Sequence, residues 1–298
     1  MGYRLLAGLL WPLCISVHTS AVVVAAWFDP SLLGRALGPA TIAVIIVLIG
    51  IEQLLPYRRD WSIRGDREIW RDIGHAFLYT NIGGVVTQIL FLSSLAAVLS
   101  QLELADWLGT WPRNSPVVVQ VLIAVFVGDL LEYWYHRLSH TIPWLWRLHA
   151  IHHTPVRLHA LKGGRHHLLY FLGRGLIVWM PLLLIGVPFG LVLWQFVAVV
   201  LVGAAAHANI AFRIPAIIHR VVVTPDYHRI HHSIDPHQGN SNYATVFPIW
   251  DMIFHSHTDP MLADVHAVGI DQDPIPRRFL SELLSPLTFN RLIRDRTR

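Results

Sequence analysis

The chain is poor in cysteine and poor in charge. A single cysteine, Cys14, stands among 298 residues. It lies in an apolar N-terminal stretch, and alone it excludes an intramolecular disulfide and an iron–sulfur cluster. Charged residues make up 14% of the sequence, against about 25% in soluble domains. Hydrophobic residues make up 54%, and the mean hydropathy is +0.47. That balance excludes an ordinary soluble domain and implies an integral membrane protein. The sequence also lacks a soluble repeat, a low-complexity tract and an independent second domain. It has no glycine-rich dinucleotide loop following a strand and no evident haem-binding domain. The net charge of +4 matters less than where the basic residues fall, since position reports topology; no nucleic-acid partner is expected.

Histidine is what the chain has in excess. Two stretches read HxxHH: His149-Ala-Ile-His152-His153 and His228-Arg-Ile-His231-His232. A third cluster, His136-Arg-Leu-Ser-His140, precedes the first. Residues three and four apart share one face of a helix, so HxxHH aims three imidazoles one way and HxxxH aims two. With 19 histidines in 298 residues, random placement produces about 0.1 HxxHH matches. Two matches argue against a chance set of solvated or stacked histidines.

Apolar runs and arginines set the expected topology. Residues 5–28 are long enough to span a bilayer and exceed the usual length of a cleaved signal, so a retained helix is expected. His18 within it is expected to be a buried hydrogen-bonding group. Residues 40–55, 74–100 and 116–135 form further spans. The loop 57–72, with Arg58, Arg59, Arg64, Arg67 and Arg71, is expected on the cytoplasmic side. Residues 168–187 and 189–206 form an apolar hairpin around Gly186-Val187-Pro188, and His207 follows it. Of the 23 Lys and Arg residues, Arg35, Arg113 and Arg174 alone fall outside the cytoplasmic segments and the N-terminus. All three histidine clusters then lie on the cytoplasmic side of a multi-pass protein. The fold expected is all-α: a transmembrane helix bundle with a cytoplasmic histidine-rich helical cap holding a dimetal centre. Residues 1–115 form the N-terminal helices and basic loop, 116–258 the catalytic region with its membrane hairpin at 168–206, and 259–298 a basic cytoplasmic tail.

Imidazole suits zinc, iron, copper and nickel, so ligand type alone names no metal. Eight clustered histidines exceed the four of a closed zinc site and the three of a catalytic one. A dinuclear centre uses them, with His152-His153 and His231-His232 each sending one ring to either metal. Neutral imidazoles leave the metal charge uncompensated, so Asp129, Glu132, Asp226 and Asp251 are candidates to orient the rings from behind. Asp129 precedes His136 by two helical turns; an ion pair at the membrane interface is its alternative role.

The ordered set Asp129-x3-Tyr133-Trp134-x-His136-Arg137-x2-His140, His149-x2-His152-His153, His207-Ala208-Asn209 and Thr224-Pro225-x2-His228-x2-His231-His232 resembles the fatty acid hydroxylase and sterol desaturase superfamily. Asn242-Tyr243 and Trp250-Asp251-x2-Phe254 resemble its closing motif. The resemblance covers roughly residues 120–258, and 52–75 more loosely. It implies a membrane-bound di-iron oxidoreductase that uses O₂ to hydroxylate or desaturate a C–H bond of a lipid. Two iron ions are implied, with zinc able to take their place in a purified or crystallised sample. The implied ligands are His136, His140, His149, His152, His153, His207, His228, His231 and His232. Asp129, Asn209, Asp226 and His166 are expected to support them or the substrate cavity.

Departures from the family pattern bear on the substrate. Arg165-His166-His167 stands where His-Pro is usual after the arginine, and Phe254-His255-Ser256 replaces Phe-Gly-Thr. His167 is expected to act locally. His75, His159, His219, His237, His257 and His266 are expected to be interfacial or solvated. Electrons must come from a separate ferredoxin, cytochrome or reductase, for which Arg137, Arg147, Arg157, Lys162 and Arg165 could form a docking face; simple orientation at the membrane surface is their plainer role. Hydroxylation is favoured because it needs one oxidation step, with desaturation the alternative at the same site. A zinc-dependent membrane hydrolase would need fewer histidines and a carboxylate base. A metal transporter would place ligands at the bilayer midplane on broken helices, not at helix ends on one side.

Overall fold

The computed structural model describes residues 32–83, 86, 110–211 and 214–296. The expected span 5–28, with Cys14 and His18, and most of 74–100 lie outside the described residues. The described chain runs α1 (Leu32–Leu54), α2 (Ile69–Phe77), α3 (Val117–Thr141), α4 (Pro143–His153), α5 (Leu168–Arg174), α6 (Met180–Leu184), α7 (Phe189–His207), α8 (Ile218–Val221), α9 (Pro225–His231), α10 (Pro236–Gly239), α11 (Ile249–Ile253) and α12 (Phe279–Arg296). Among the described residues there is no strand, and two isolated β-bridges tie loops together.

Helices α3 and α7 are long and apolar enough to cross a membrane. The segments Thr41–Leu54 and Leu168–Leu184 are apolar but shorter. The expected hairpin therefore has unequal arms. Its first arm is interrupted by a π-helical turn at Gly175–Trp179 between α5 and α6. Its bend uses Gly186 at φ 87°, a left-handed value that favours glycine.

Helix α3 is buried on two sides. Val121, Val125 and Tyr133 join Trp194, Leu201 and Tyr227 in one apolar cluster. Ala124 and Tyr135 join Tyr170, Phe171 and Trp179 in another. Close approach depends on small residues, the device by which helices associate in lipid. At Gly128 of α3 a Cβ would run into the Gln195 side chain of α7, and at Gly173 of α5 into the Tyr135 hydroxyl.

Prolines aim the histidine-bearing ends. Ile142, before Pro143, has extended backbone at φ −95° and ψ 117°, because a residue preceding proline is driven from the helical region. Helix α3 stops there, and α4 starts at once in a new direction. Thr224 caps α9 by accepting from the Tyr227 amide, and Pro225 occupies the first turn. Both choices suit a helix start, and the cap contributes about 1 kcal/mol.

Two expectations are corrected by a buried ion network beneath α4 and α5. The first concerns residues 259–298, expected as a basic C-terminal tail, part of which packs against α4. Ile275 and Phe289 are buried with Ala150 and Ile151. Glu282 of α12 is 1% exposed and meets Arg165 at 2.7 Å, His75 at 2.9 Å and Arg71. The second concerns lone histidines and the basic face. Lys162, the chain's sole lysine, is fully buried, 2.6 Å from Asp72 and 2.7 Å from Asp66. His159 also contacts Asp66 at 2.8 Å, and His219 pairs with the Thr224 hydroxyl at 2.7 Å. So His75, His159 and His219 are interior groups, and Lys162 and Arg165 are not available to an electron donor. Their partners lie as far as 207 residues away in the sequence, beyond the reach of local periodicity. His237 and His266 are exposed, while His257 is half-buried and stacked on Tyr227.

Candidate metal centre

The C-terminal ends of α3, α4, α7 and α9 meet at one place, and each delivers imidazoles. His136, His140, His149, His153 and His231 form one group; His152, His207, His228 and His232 form a second. Within each group the candidate ligand atoms lie within 4.8 Å of one another. The adjacent residues His152 and His153 are divided between the groups, as are His231 and His232. All nine side chains named from the sequence are therefore brought together.

The separations are informative. Nε2 atoms approach at 3.0 Å for His136–His149, 3.1 Å for His149–His153, 3.0 Å for His207–His232 and 3.2 Å for His207–His228. A metal at about 2.1 Å from imidazole nitrogen would space neighbouring ligands about 3.0 Å apart in an octahedron and about 3.4 Å apart in a tetrahedron. In four of the nine rings the other nitrogen is committed to a backbone carbonyl. Nδ1 of His136 donates to the Tyr243 carbonyl at 2.7 Å, that of His207 to Gly203 at 2.7 Å, and that of His231 to Ser241 at 2.8 Å. Nδ1 of His152 donates to Arg165 at 3.3 Å. A carbonyl only accepts, so each neutral ring spends its one proton there and turns an Nε2 lone pair inward. Backing a ring N–H with a carbonyl is the usual way to orient a metal-binding histidine. Where two such rings face each other, as His152 and His207 do at 3.2 Å, the converging lone pairs repel one another and suit a cation, so the donor set fits a metal.

The backing carbonyls are held by residues further out. Asn242 takes φ 56°, a left-handed conformation that asparagine tolerates. Its side-chain amide donates to the Tyr227 and Thr258 carbonyls, and its oxygen accepts from the Thr258 amide. Asp251 accepts from the Tyr243 and Ala244 amides at 2.9 and 2.7 Å. Asp129 accepts from the Val246 and Phe247 amides and from the Thr245 hydroxyl. Asp129 thus neither backs an imidazole nor forms an ion pair among the described residues; it fixes the segment whose Tyr243 carbonyl backs His136. Asp226 pairs with Arg229 at 2.8 Å. Asn209 bonds the backbone of Arg58 through both side-chain atoms, and its own amide donates to Glu52. Asp129, Asp251 and Asn209 thus brace backbone, while backbone carbonyls back four of the rings. His166 does lie beside the site, stacked on His152 with centroids 4.2 Å apart. His167 accepts from the Leu169 amide at the start of α5, but it is not local alone: its other nitrogen donates to the Leu283 carbonyl of α12 at 3.0 Å.

Burial, and next the charge each neighbouring imidazole would carry, holds His149, His152, His153, His228, His231 and His232 well below the ordinary histidine value. At neutral pH these rings are uncharged, the form a metal requires. In the outer network, burial pushes Glu282 up. The His75 hydrogen bond and the Arg165 and Arg71 charges outweigh it and hold the carboxyl below its ordinary value.

A cavity of about 440 Å³ opens against the two groups, within the range of small-ligand pockets. His136, His149, His152, His207 and His228 line it together with apolar Ile42, Ile45, Val197 and Val200. Glu132, Arg174, Tyr79 and Tyr170 interrupt that apolar lining. Arg174 and Glu132 form an ion pair at 2.7 Å. Sequence reasoning did not place Arg174 or Tyr79 at the site. The signal for Arg174 was present: a cation within an apolar helix requires a partner and marks function.

The fatty acid hydroxylase family profile matches residues 121–256. An ornithine lipid hydroxylase of Rhizobium tropici is 30% identical over 293 residues, covering 96% of this chain and 85% of the relative. Alkylglycerol monooxygenase of Homo sapiens is 28% identical over 189 residues, 55% of this chain and 39% of that protein. A very-long-chain aldehyde decarbonylase of Oryza sativa subsp. indica is 33% identical over 153 residues, 50% of this chain and 56% of that protein. No solved structure gives a significant match.

Proposed function

This chain belongs to the fatty acid hydroxylase family, and on that footing we propose that it is a membrane-bound, O₂-dependent di-iron hydroxylase of a lipid C–H bond. The observation that carries the reading is the pair of histidine groups beside an apolar cavity. His136, His140, His149, His153 and His231 would hold one iron, and His152, His207, His228 and His232 the other. When bound, the iron pair supplies the activation of O₂ that lets one oxygen atom enter the C–H bond while the other leaves as water, with two electrons and two protons consumed.

The chain's own residues do the remaining work. Backbone carbonyls of Arg165, Gly203, Ser241 and Tyr243 hold the ring protons on Nδ1. Apolar walls exclude water and receive the lipid. The α1 side of the cavity, at Ile42 and Ile45, suits entry of an acyl chain sideways from the bilayer. Electrons would come from a separate donor protein. The arginine distribution supports a multi-pass arrangement with the histidines on the cytoplasmic side, and residues 116–258 as the catalytic region. The match along nearly the whole chain to an ornithine lipid hydroxylase makes an amino-acid-containing lipid the first substrate to test.

The test is comparative lipid mass spectrometry of cells expressing the wild type or His152→Ala, aerobically and with a matching reductase. A lipid that gains one oxygen with the wild type alone supports the hydroxylase. Loss of two hydrogens would move the assignment to desaturation. No lipid change from iron-loaded, reducible protein would overturn the oxidase reading, and turnover without O₂ or reductant would favour a hydrolase.

A further inference from the structure

We infer that Arg174 anchors the lipid substrate by donating to a carbonyl or carboxylate oxygen, so that the oxidised carbon lies within a few bonds of that group. The inference rests on the lipid hydroxylase reading above and narrows its substrate to a lipid with an acyl, amide or amino-acid carbonyl near the reacting carbon.

Arg174 is 5% exposed and lines the cavity. Its Nε pairs with Glu132 at 2.7 Å, and its Nη1 donates to the Tyr79 hydroxyl. Its Nη2 has no protein partner among the described residues. A guanidinium carries five N–H donors and no acceptor, and donors left unpaired in an apolar wall are costly. A purely structural ion pair would be closed on all sides by protein; this one keeps one edge toward the cavity. What completes it must accept hydrogen bonds. A carboxylate or carbonyl oxygen does so in the plane of the guanidinium. A sterol hydroxyl or an ether oxygen is a poorer match. Glu132 compensates the cation and fixes its orientation, so Arg174 meets the substrate as a preset donor edge.

The anchor is close to the histidines. Glu132 precedes His136 by one turn of α3, a Cβ spacing of about 5–6 Å. The Tyr79 ring lies 4.8 Å from that of His166, which stacks on His152 at 4.2 Å. A lipid held at Arg174 therefore presents its linkage region to the histidine groups and extends its chain toward α1.

The test is binding to the purified full chain in detergent, anaerobically and without reductant, so that no turnover occurs. The probes are N-dodecanoylglycine and 1-dodecanol. The wild type should bind the acylated amino acid about 10- to 100-fold more tightly than the alcohol, the range of a charge-assisted hydrogen bond. The double variant Arg174→Leu/Glu132→Leu removes both charges and leaves no lone buried ion. It should retain its metal content and bind the two probes within about threefold of each other. A folded double variant that keeps the wild-type preference overturns the anchor, and so does a wild type that does not discriminate, a result that needs no variant. Binding is read without oxidation, so failure of the hydroxylase reading is seen separately, as absent oxygen insertion. With turnover, oxygen inserted at the far end of the acyl chain also overturns the anchor.

Discussion

His152 and His207 face each other Nε2 to Nε2 across 3.2 Å, although the Nδ1 atom of each is already turned to a backbone carbonyl. Neither ring has a proton for the space between them, so a cation is the group that reconciles the two. His207→Ala should therefore lower bound metal by about half, from two ions to one per chain, with little loss of helix content. Lipid oxidation should fall by at least about 100-fold, since outer residues alone are worth 10- to 100-fold. Elemental analysis together with lipid mass spectrometry checks this; full metal retention would remove His207 from the ligand set.

Asp129→Asn tests whether the backing segment matters. Asparagine keeps one acceptor oxygen but puts an NH₂ against the Val246 or Phe247 amide. We expect a stability loss of about 1–3 kcal/mol from the amide left unpaired, and about 10-fold weaker metal binding through the displaced Tyr243 carbonyl. Competition with a chelator of known affinity reads the second effect separately from a thermal melt. Unchanged affinity would make Asp129 a packing residue alone.

Glu282→Gln should loosen α12. Removing one member of a buried ion network leaves Arg165 and Arg71 undercompensated and costs about 3–5 kcal/mol. Limited proteolysis should then cut within 277–296 before it cuts elsewhere. Because the Arg165 carbonyl receives the His152 N–H, a smaller loss of metal affinity should accompany the cleavage. Equal protease resistance in variant and wild type would show that Glu282 does not hold the segment.

The pH dependence of the metal-free protein has a definite sign. The six histidines of its two HxxHH clusters have native values below the ordinary 6.5. Below that pH the unfolded chain binds protons that the folded chain does not, so stability falls as pH falls below about 6.5 and levels off above it. Glu282, also held low, adds a contribution present above its ordinary 4.5 and lost on further acidification. Thermal melts between pH 5 and 8 should show a plateau above about 7 and a decline below; a rise toward pH 5.5 would contradict neutral buried rings.

Much of the site was legible because helical spacing is a local property. His149, His152 and His153 share a face wherever the helix goes, and the same holds for His228, His231 and His232. The apolar runs of α3 and α7 were legible for the same reason, since length and composition decide whether a helix can cross a bilayer. The supporting roles were misplaced. Asp129 has the spacing of a partner for His136, but its oxygens meet the Thr245 hydroxyl and the Val246 and Phe247 amides, 116–118 residues later. His75 and Glu282 lie 207 residues apart, and nothing near either reveals the other.

The sequence by itself determined the chemistry available: eight imidazoles at helical spacing, no thiol cluster, and an apolar chain to carry them. It also determined where helices break, because Pro143 and Pro225 act on adjacent backbone. Only the tertiary structure decided how the histidines divide into two groups, which carbonyl receives each ring proton, and that Arg174 stands at the cavity with one edge open. Those outcomes depend on distances between segments far apart in the chain. Such distances follow from close packing at places such as Gly128 against Gln195, which no local pattern records.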